Sequence, residues 1–337
     1  MATVMQTETR NTRRKLLLAI TPVVLVIAGC YGLTSGSVPI TLQEIWTVLT
    51  TNNESAHETI ILDLRLPRVL VGLFVGACLA ASGALLQGTM KNPLADPGII
   101  GVSAGGGLAA MITMVMFPQY SYFLPFAAFI GAFVTSIFIY ILAWDRGAAP
   151  VRIILAGVAI NALLGAITSG IMVIYSDRVQ AVLPWLAGGL NGRSWYHFEF
   201  MVPYAVAGLV LTAFTIKPAN LLLLGDESAH LLGLKVERQR LLLILLSSFL
   251  AGTAVSVAGL LGFVGLVVPH AIRLVIGDDY RFLLPLSILW GAILVVVADT
   301  VARSMFDPIE LPVGILLASL GAPFFLILLR KRRSMRW

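Results

Sequence analysis

Few residues in this chain could do chemistry, and their surroundings limit what that chemistry is. His270 follows Pro269 in an apolar run that holds no second histidine, cysteine or carboxylate. It lacks the company a metal site needs and reads as a packed histidine beside a proline kink. The two cysteines, Cys30 and Cys78, both lie in apolar runs and offer neither a disulfide framework nor a zinc site. Gly105-Gly106-Gly107 is followed by no Lys-Ser/Thr pair, and no Gly-x-x-x-x-Gly-Lys-Ser/Thr loop occurs anywhere. If ATP drives this protein, a partner must bind it. What remains is a small group of arginines, Arg65, Arg68 and Arg303, whose guanidinium groups suit bidentate, charge-assisted bonds to carboxylates. The other reading of Arg65 and Arg68 is that they anchor the start of a helix at an interface. Arg303 could pair with Asp299 one turn back, at i,i+4 spacing.

The elements that carry these residues are apolar helices. Of 337 residues, 58% are hydrophobic and 12% charged, and mean hydropathy is +0.92. Half the usual charge density cannot cover a globule of this size, which excludes a soluble enzyme, a disordered protein and a secreted disulfide scaffold. Runs long enough for a bilayer fall at 16–33, 67–88, 98–117, 122–144, 152–174, 200–216, 241–259, 260–276, 283–302 and 312–329. The expected fold is therefore an all-α membrane protein of about ten helices. A basic tail (1–15) precedes the helical domain (16–329), and a second (330–337) follows it. The division within 241–276 has no polar break, so one long helix with a re-entrant segment fits it nearly as well. Val26-Ile27-Ala28-Gly29-Cys30 resembles a lipoprotein cleavage box but reads as part of an uncleaved first helix.

Charge sets the orientation. With ten spans, eighteen of the 23 basic residues fall on the side of the two termini and five on the other: Arg65, Arg68, Arg178, Arg193 and Arg303. The positive-inside rule makes the richer side cytoplasmic. The net charge of +6 is thus a membrane asymmetry rather than an affinity for nucleic acid. Small residues recur every four positions at Gly72, Gly76, Ala80, Ala84 and Gly88, a face that lets helix backbones approach closely. Asp299 is the one acidic residue well inside a span, which gives an ion-coupled transporter little to work with. No Ser/His pair or metal motif supports an intramembrane enzyme.

Three segments are more specific than composition. Arg65-Leu66-Pro67-Arg68 precedes the small-residue helix, which leads into Gln87-Gly88-Thr89-Met90-Lys91-Asn92-Pro93-Leu94-Ala95-Asp96-Pro97-Gly98. Gly262-Phe263-Val264-Gly265 leads to Pro269-His270, and Ala298-Asp299-Thr300-Val301-Ala302-Arg303 is followed by Glu310-Leu311-Pro312-Val313-Gly314. From about residue 60 to the end, these closely resemble the permease subunits of bacterial ABC importers for iron–siderophores, haem and vitamin B12, the FecCD family.

The resemblance implies ten helices, a second permease subunit (identical or paralogous), two cytoplasmic ATPases and an external binding protein. No cofactor is expected on this chain, with ATP and Mg bound by the ATPases. It implies that Arg65, Arg68 and Arg303 receive acidic residues of the binding protein. It also implies that a helix over Leu221–Lys235, with Gly225, Ala229 and Gly233 on one face, couples to the ATPase, and that Asn92 and Leu94 help close the cytoplasmic end of the path. Asn161, Thr168 and Ser169 either line the path or bond to neighbouring helices. Ferric siderophore is the expected cargo, with cobalamin or haem the alternative.

Overall fold

The computed structural model describes residues 2–36, 38–50, 56–145, 147, 149–306 and 309–332, and every regular element among them is helical. In chain order the α-helices are α1 (Ala2–Thr34), α2 (Leu42–Thr50), α3 (Ala56–Glu58), α4 (Leu66–Thr89), α5 (Val102–Met116), α6 (Leu124–Leu142), α7 (Pro150–Ile174), α8 (Val179–Ala187), α9 (Trp195–Ala213), α10 (Ile216–Leu223), α11 (Asp226–Leu231), α12 (Val236–Ala258), α13 (Val264–Ile276), α14 (Tyr280–Ser304) and α15 (Val313–Arg332). A π-helical turn, Thr59–Arg65, runs directly into α4.

Each of the ten apolar runs corresponds to one of these helices. Among the described residues, six segments are long and apolar enough to cross a membrane, and α9 with α10, bent by 54°, makes up to seven. Helices α5, α13 and the apolar part of α15 are shorter. The ambiguous stretch 241–276 holds two helices. The chain leaves α12 at Gly259 (φ +71°) and enters α13 through Phe263 (φ +67°), so a left-handed turn replaces the missing polar break. The basic N-terminal residues are helical, since α1 runs unbroken from Ala2 past Cys30 to Thr34. Arg330–Arg332 likewise continue α15, and residues 333–337 lie outside the described residues.

Helix α4 is the axis of the bundle, with 83% of its apolar window buried, and it packs against α9, α12, α13 and α14. Its small-residue face is the reason. A Cβ at Gly76 would overlap the carbonyl oxygen of Gly291 on α14, and one at Gly83 would overlap that of Gly265 on α13. Backbones touch at both points, so van der Waals contact is gained where no side chain separates the helices. Several polar groups in this core bond to one another or to backbone carbonyls, which lowers the cost of burying them. Ser82 and Ser247 bond to each other (2.6 Å), Gln87 Nε2 donates to the Gly265 carbonyl (3.2 Å), and Tyr280 donates its hydroxyl to the Ala84 carbonyl (2.5 Å). Helix α7 is the opposite case, with only 11% of its window buried.

Candidate functional site

Two networks of ionic groups lie at the two ends of α4. At its N-terminal end, the π-helical turn and the first turn of α4 present Arg65 and Arg68, while the last turns of α14 present Asp299 and Arg303. Arg68 is the hub. Its Nε donates to Asp299 Oδ2 (2.8 Å), its Nη2 to Asp299 Oδ1 (3.0 Å) and its Nη1 to Glu310 Oε2 (2.8 Å). Arg65 donates Nη1 to the carbonyls of Leu33 (2.7 Å) and Thr34 (3.2 Å), and Nη2 to that of Val38. Arg303 donates Nη2 to the Gly32 carbonyl. Gly32, Leu33 and Thr34 form the last turn of α1, whose carbonyls have no donor within the helix. Arg65 and Arg303 therefore cap that helix from outside, with positive charge at the negative end of its dipole.

The three arginines singled out in the sequence are thus brought together, but their bonds point inward. Arg65 is 5% exposed, Arg68 8% and Arg303 5%. The i,i+4 pair of Arg303 with Asp299 does not form, because Asp299 faces α4 and its two oxygens are engaged by Arg68. Glu310, on the segment before α15, is the outward part of the cluster, with its side chain 36% exposed. Sequence reasoning overlooked Glu310 as a partner, although it stands two residues before Pro312 in a motif already noted. It also gave no role to Arg193, which lies next to the cluster. Burial, and then the nearby Arg68, pull the Arg193 guanidinium down to about 10.

At the other end of α4 the expected coupling helix is corrected. Leu221–Lys235 is not one helix, because α10 ends at Leu223 and α11 spans only Asp226–Leu231. Gly225 (φ +104°) and Gly233 (φ +83°) are the turns on either side of α11, in left-handed backbone that their lack of a Cβ makes cheap. They share no helix face with Ala229, which is buried toward the bundle at 0% exposure. The outward surface is instead the exposed pair Leu231 and Leu232, at 81% and 60%.

A network of charges ties this element to the bundle. Asp226 accepts from Lys91 Nζ (2.7 Å), in the loop after α4, and from Arg240 Nη2 (2.7 Å), on α12. Arg240, 2% exposed, also reaches Glu237 Oε1 (2.5 Å). Partial burial would raise the Asp226 carboxyl, but the bonds from Lys91 and Arg240 hold it below the usual carboxylate range.

Three residues beyond α4, Asn92 is joined to Leu94. The Asn92 side chain accepts the Leu94 amide (3.0 Å), closing an Asx turn before the 3₁₀ turn Pro97–Ile100. Asn161 on α7 donates Nδ2 to the Gly98 carbonyl (2.9 Å), so this path candidate is bound to the loop that carries the other two. Thr168 bonds to Leu164 within its own helix (2.8 Å), and Ser169 is exposed. His270 is buried at 4% in α13, and no group of three metal-ligating side chains occurs among the described residues.

Fold and site together define a polytopic helical membrane protein whose ionic chemistry anchors the two ends of one central helix. The chain belongs to the FecCD transport family, which it matches over residues 24–331. It is 39% identical over 328 residues to the Fe(3+)-citrate import system permease protein YfmE of Bacillus subtilis, covering 97% of this chain and 98% of the relative. It is 44% identical over 276 residues to the cobalamin import system permease protein BtuC of Halobacterium salinarum, covering 82% and 74%. A solved structure described as an inward-facing metal-chelate type ABC transporter superposes with a TM-score of 0.82 at 29% identity, over 94% of this chain and 99% of that one. The protein is a multi-pass cell-membrane permease subunit of an ABC importer, and ATP hydrolysis belongs to a separate subunit.

Proposed function

We propose that this permease carries ferric chelates of the siderophore class. The observation that carries the reading is end-to-end similarity to two Fe(3+)-citrate import permeases of Bacillus subtilis, at 39% and 38% identity, each spanning 97% of this chain. Cobalamin or haem is the second reading, supported by the 44% identity to a cobalamin permease over a shorter span and by the 40% identity to a hemin transport permease over 96% of this chain. A deletion strain complemented with this gene and offered labelled ferric citrate, a labelled ferric hydroxamate, haem and labelled cobalamin decides between them. Uptake of ferric citrate or hydroxamate alone is the expected result, and uptake of cobalamin or haem alone overturns it.

The mechanism we infer is alternating access without covalent chemistry. Ten spans place both termini and the Lys91 end of α4 in the cytoplasm and the Arg68 end outside, as the 18-to-5 division of basic residues supports. The binding protein docks on the Arg65–Arg68–Arg303 cluster through carboxylates. Arg65 and Arg303 hold the end of α1 in place, and Arg68 offers the accessible donor through the nitrogen that now meets Glu310. Two ATPase subunits, which bind ATP and Mg, seat against the Leu231–Gly233 turn, and Ala229 fixes that element to the bundle. Asn92 and Leu94 form the cytoplasmic closure, held by Asn161 through Gly98. Helix α7, with Asn161, Thr168 and Ser169, faces a second permease subunit across the path, which its low burial supports. Lining groups that are small, apolar or internally bonded let a bulky chelate pass without gripping it.

A further inference from the structure

We propose that Glu310 is a resident counter-ion which an incoming carboxylate displaces from Arg68, so that Glu310 sets how tightly the binding protein docks. The inference rests on the docking reading given above. Arg68 divides its donors between two acids of different character. Asp299 takes Nε and Nη2, is 4% exposed, and cannot leave without stranding a buried guanidinium. Glu310 takes only Nη1, through one oxygen at 2.8 Å, and its side chain is 36% exposed. Released from Arg68, the Glu310 carboxylate turns into water and is rehydrated, whereas Asp299 has no such refuge. Arg65 and Arg303 spend their bonded nitrogens on α1 and loop carbonyls. Among the described members of this cluster, the Glu310 bond is therefore the one ion pair that can exchange. A partner carboxylate competing for Nη1 makes the same bond in the same place, and the resident acid subtracts from its affinity. A permease must release its binding protein after each delivery, and a competing internal acid supplies a restoring reaction: Glu310 re-forms its bond as the partner leaves.

The test measures the dissociation constant of the permease–ATPase complex in nanodiscs. The probe is the iron-chelate-binding protein with which this chain restores uptake. Glu310→Gln is expected to tighten binding roughly three- to fivefold, the upper part of the range for loss of one half-exposed ion pair. Glu310→Asp keeps the charge on a side chain one methylene shorter, which no longer reaches Nη1, and is expected to tighten binding similarly. An unchanged or weaker affinity for Glu310→Gln overturns the inference. So does tightening by Gln without tightening by Asp, which assigns the effect to surface charge alone. The Arg68→Met/Asp299→Leu variant separates the two levels. Undiminished docking there refutes the docking reading itself and the Glu310 inference with it, whereas lost docking with an unchanged Glu310→Gln refutes only the inference.

Discussion

Replacing Asp299 by alanine tests what the arginine cluster does for the fold, and its outcome can be worked from the geometry. Arg68 is 8% exposed and Asp299 4%, and two of the three guanidinium bonds run between them at 2.8 and 3.0 Å. Removing one member of such a pair leaves a charge in a poor solvent, at a cost of about 3–5 kcal/mol. Glu310 recovers little of that, since a pair with a half-exposed acid is worth about 0–1 kcal/mol. Replacing both members by apolar groups of similar size, as in Arg68→Met/Asp299→Leu, removes the desolvation penalty along with the attraction. Stability is then expected to return to within about 1 kcal/mol of the parent. Glu310 then faces no cation, but its exposed side chain is hydrated.

Unfolding in detergent, followed as the fraction that stays monodisperse against temperature or denaturant, reads both variants. The single variant is expected to lose about 3–5 kcal/mol and the double variant almost none, a coupling of at least ~2 kcal/mol. If Asp299→Ala unfolds within 1 kcal/mol of the parent, as estimated for a solvent-screened pair, the buried-pair argument is refuted. Transport by the double variant adds the functional half. A folded protein that co-purifies with its ATPase yet imports nothing is expected if Arg68 also receives the binding protein. Full transport would reduce Arg68 to a structural role.

Two further predictions concern the length of α4 and its far end. Gly83→Val puts a branched side chain where the Gly265 backbone already sits, and the resulting overpacking should cost about 3 kcal/mol or more, whereas Gly165→Ala on α7, where a Cβ meets nothing within 4 Å, should cost under 1 kcal/mol; the same detergent unfolding assay compares them. The carboxyl of Asp226 is held below its ordinary 3.8, so the stability it contributes is present above pH 3.8 and is lost only as the pH falls through its lower folded value; hydrogen exchange across residues 226–240 should therefore be flat from pH 7 to 5 after correction for intrinsic rates, and Asp226→Asn should raise it throughout that range.

Much of this fold is legible in the sequence because lipid leaves few options. A run such as 152–174 must be a helix, and Gly72-x-x-x-Gly76 spacing must bring another backbone close. The errors come where periodicity has two causes. Gly225, Ala229 and Gly233 are four apart, as packing faces are, but two of them are turn glycines with positive φ, and spacing cannot tell a glycine needed for contact from one needed for a bend. The break at Gly259–Phe263 falls at the expected division of 241–259 from 260–276, but it carries no polar signal, because an apolar residue, Phe263, adopts the left-handed conformation that usually marks glycine or asparagine. The arginines were legible by type but not by partner. Arg65 bonds to carbonyls some thirty residues upstream, and backbone acceptors carry no residue-type signal.

The two charged ends are joined by one rigid element, and this bears on how a conduit without an energy source of its own can be driven. Arg68 sits in the first turn of α4, and Lys91 follows its last residue by two. The 24 residues of α4 span roughly 36 Å, enough to cross the ~30 Å apolar core of a bilayer. Between those ends α4 touches α14 at Gly76–Gly291 and α13 at Gly83–Gly265, backbone against backbone. Contacts of that kind have no side chain that can change rotamer, so sliding α4 past either neighbour forces overlap rather than rearrangement. A displacement at Asp226, passed through Lys91, therefore reaches the Arg68 end as movement of a packed unit of α4, α13 and α14 rather than as deformation within it. Helix α7 is outside that unit, little buried and linked to the loop after α4 through Asn161 and Gly98. The relative motion that opens a path is thus expected between the α4 unit and α7, with the loop that leads from the end of α4 through Asn92 and Leu94 to the Gly98–Asn161 bond as the connection that takes up the strain.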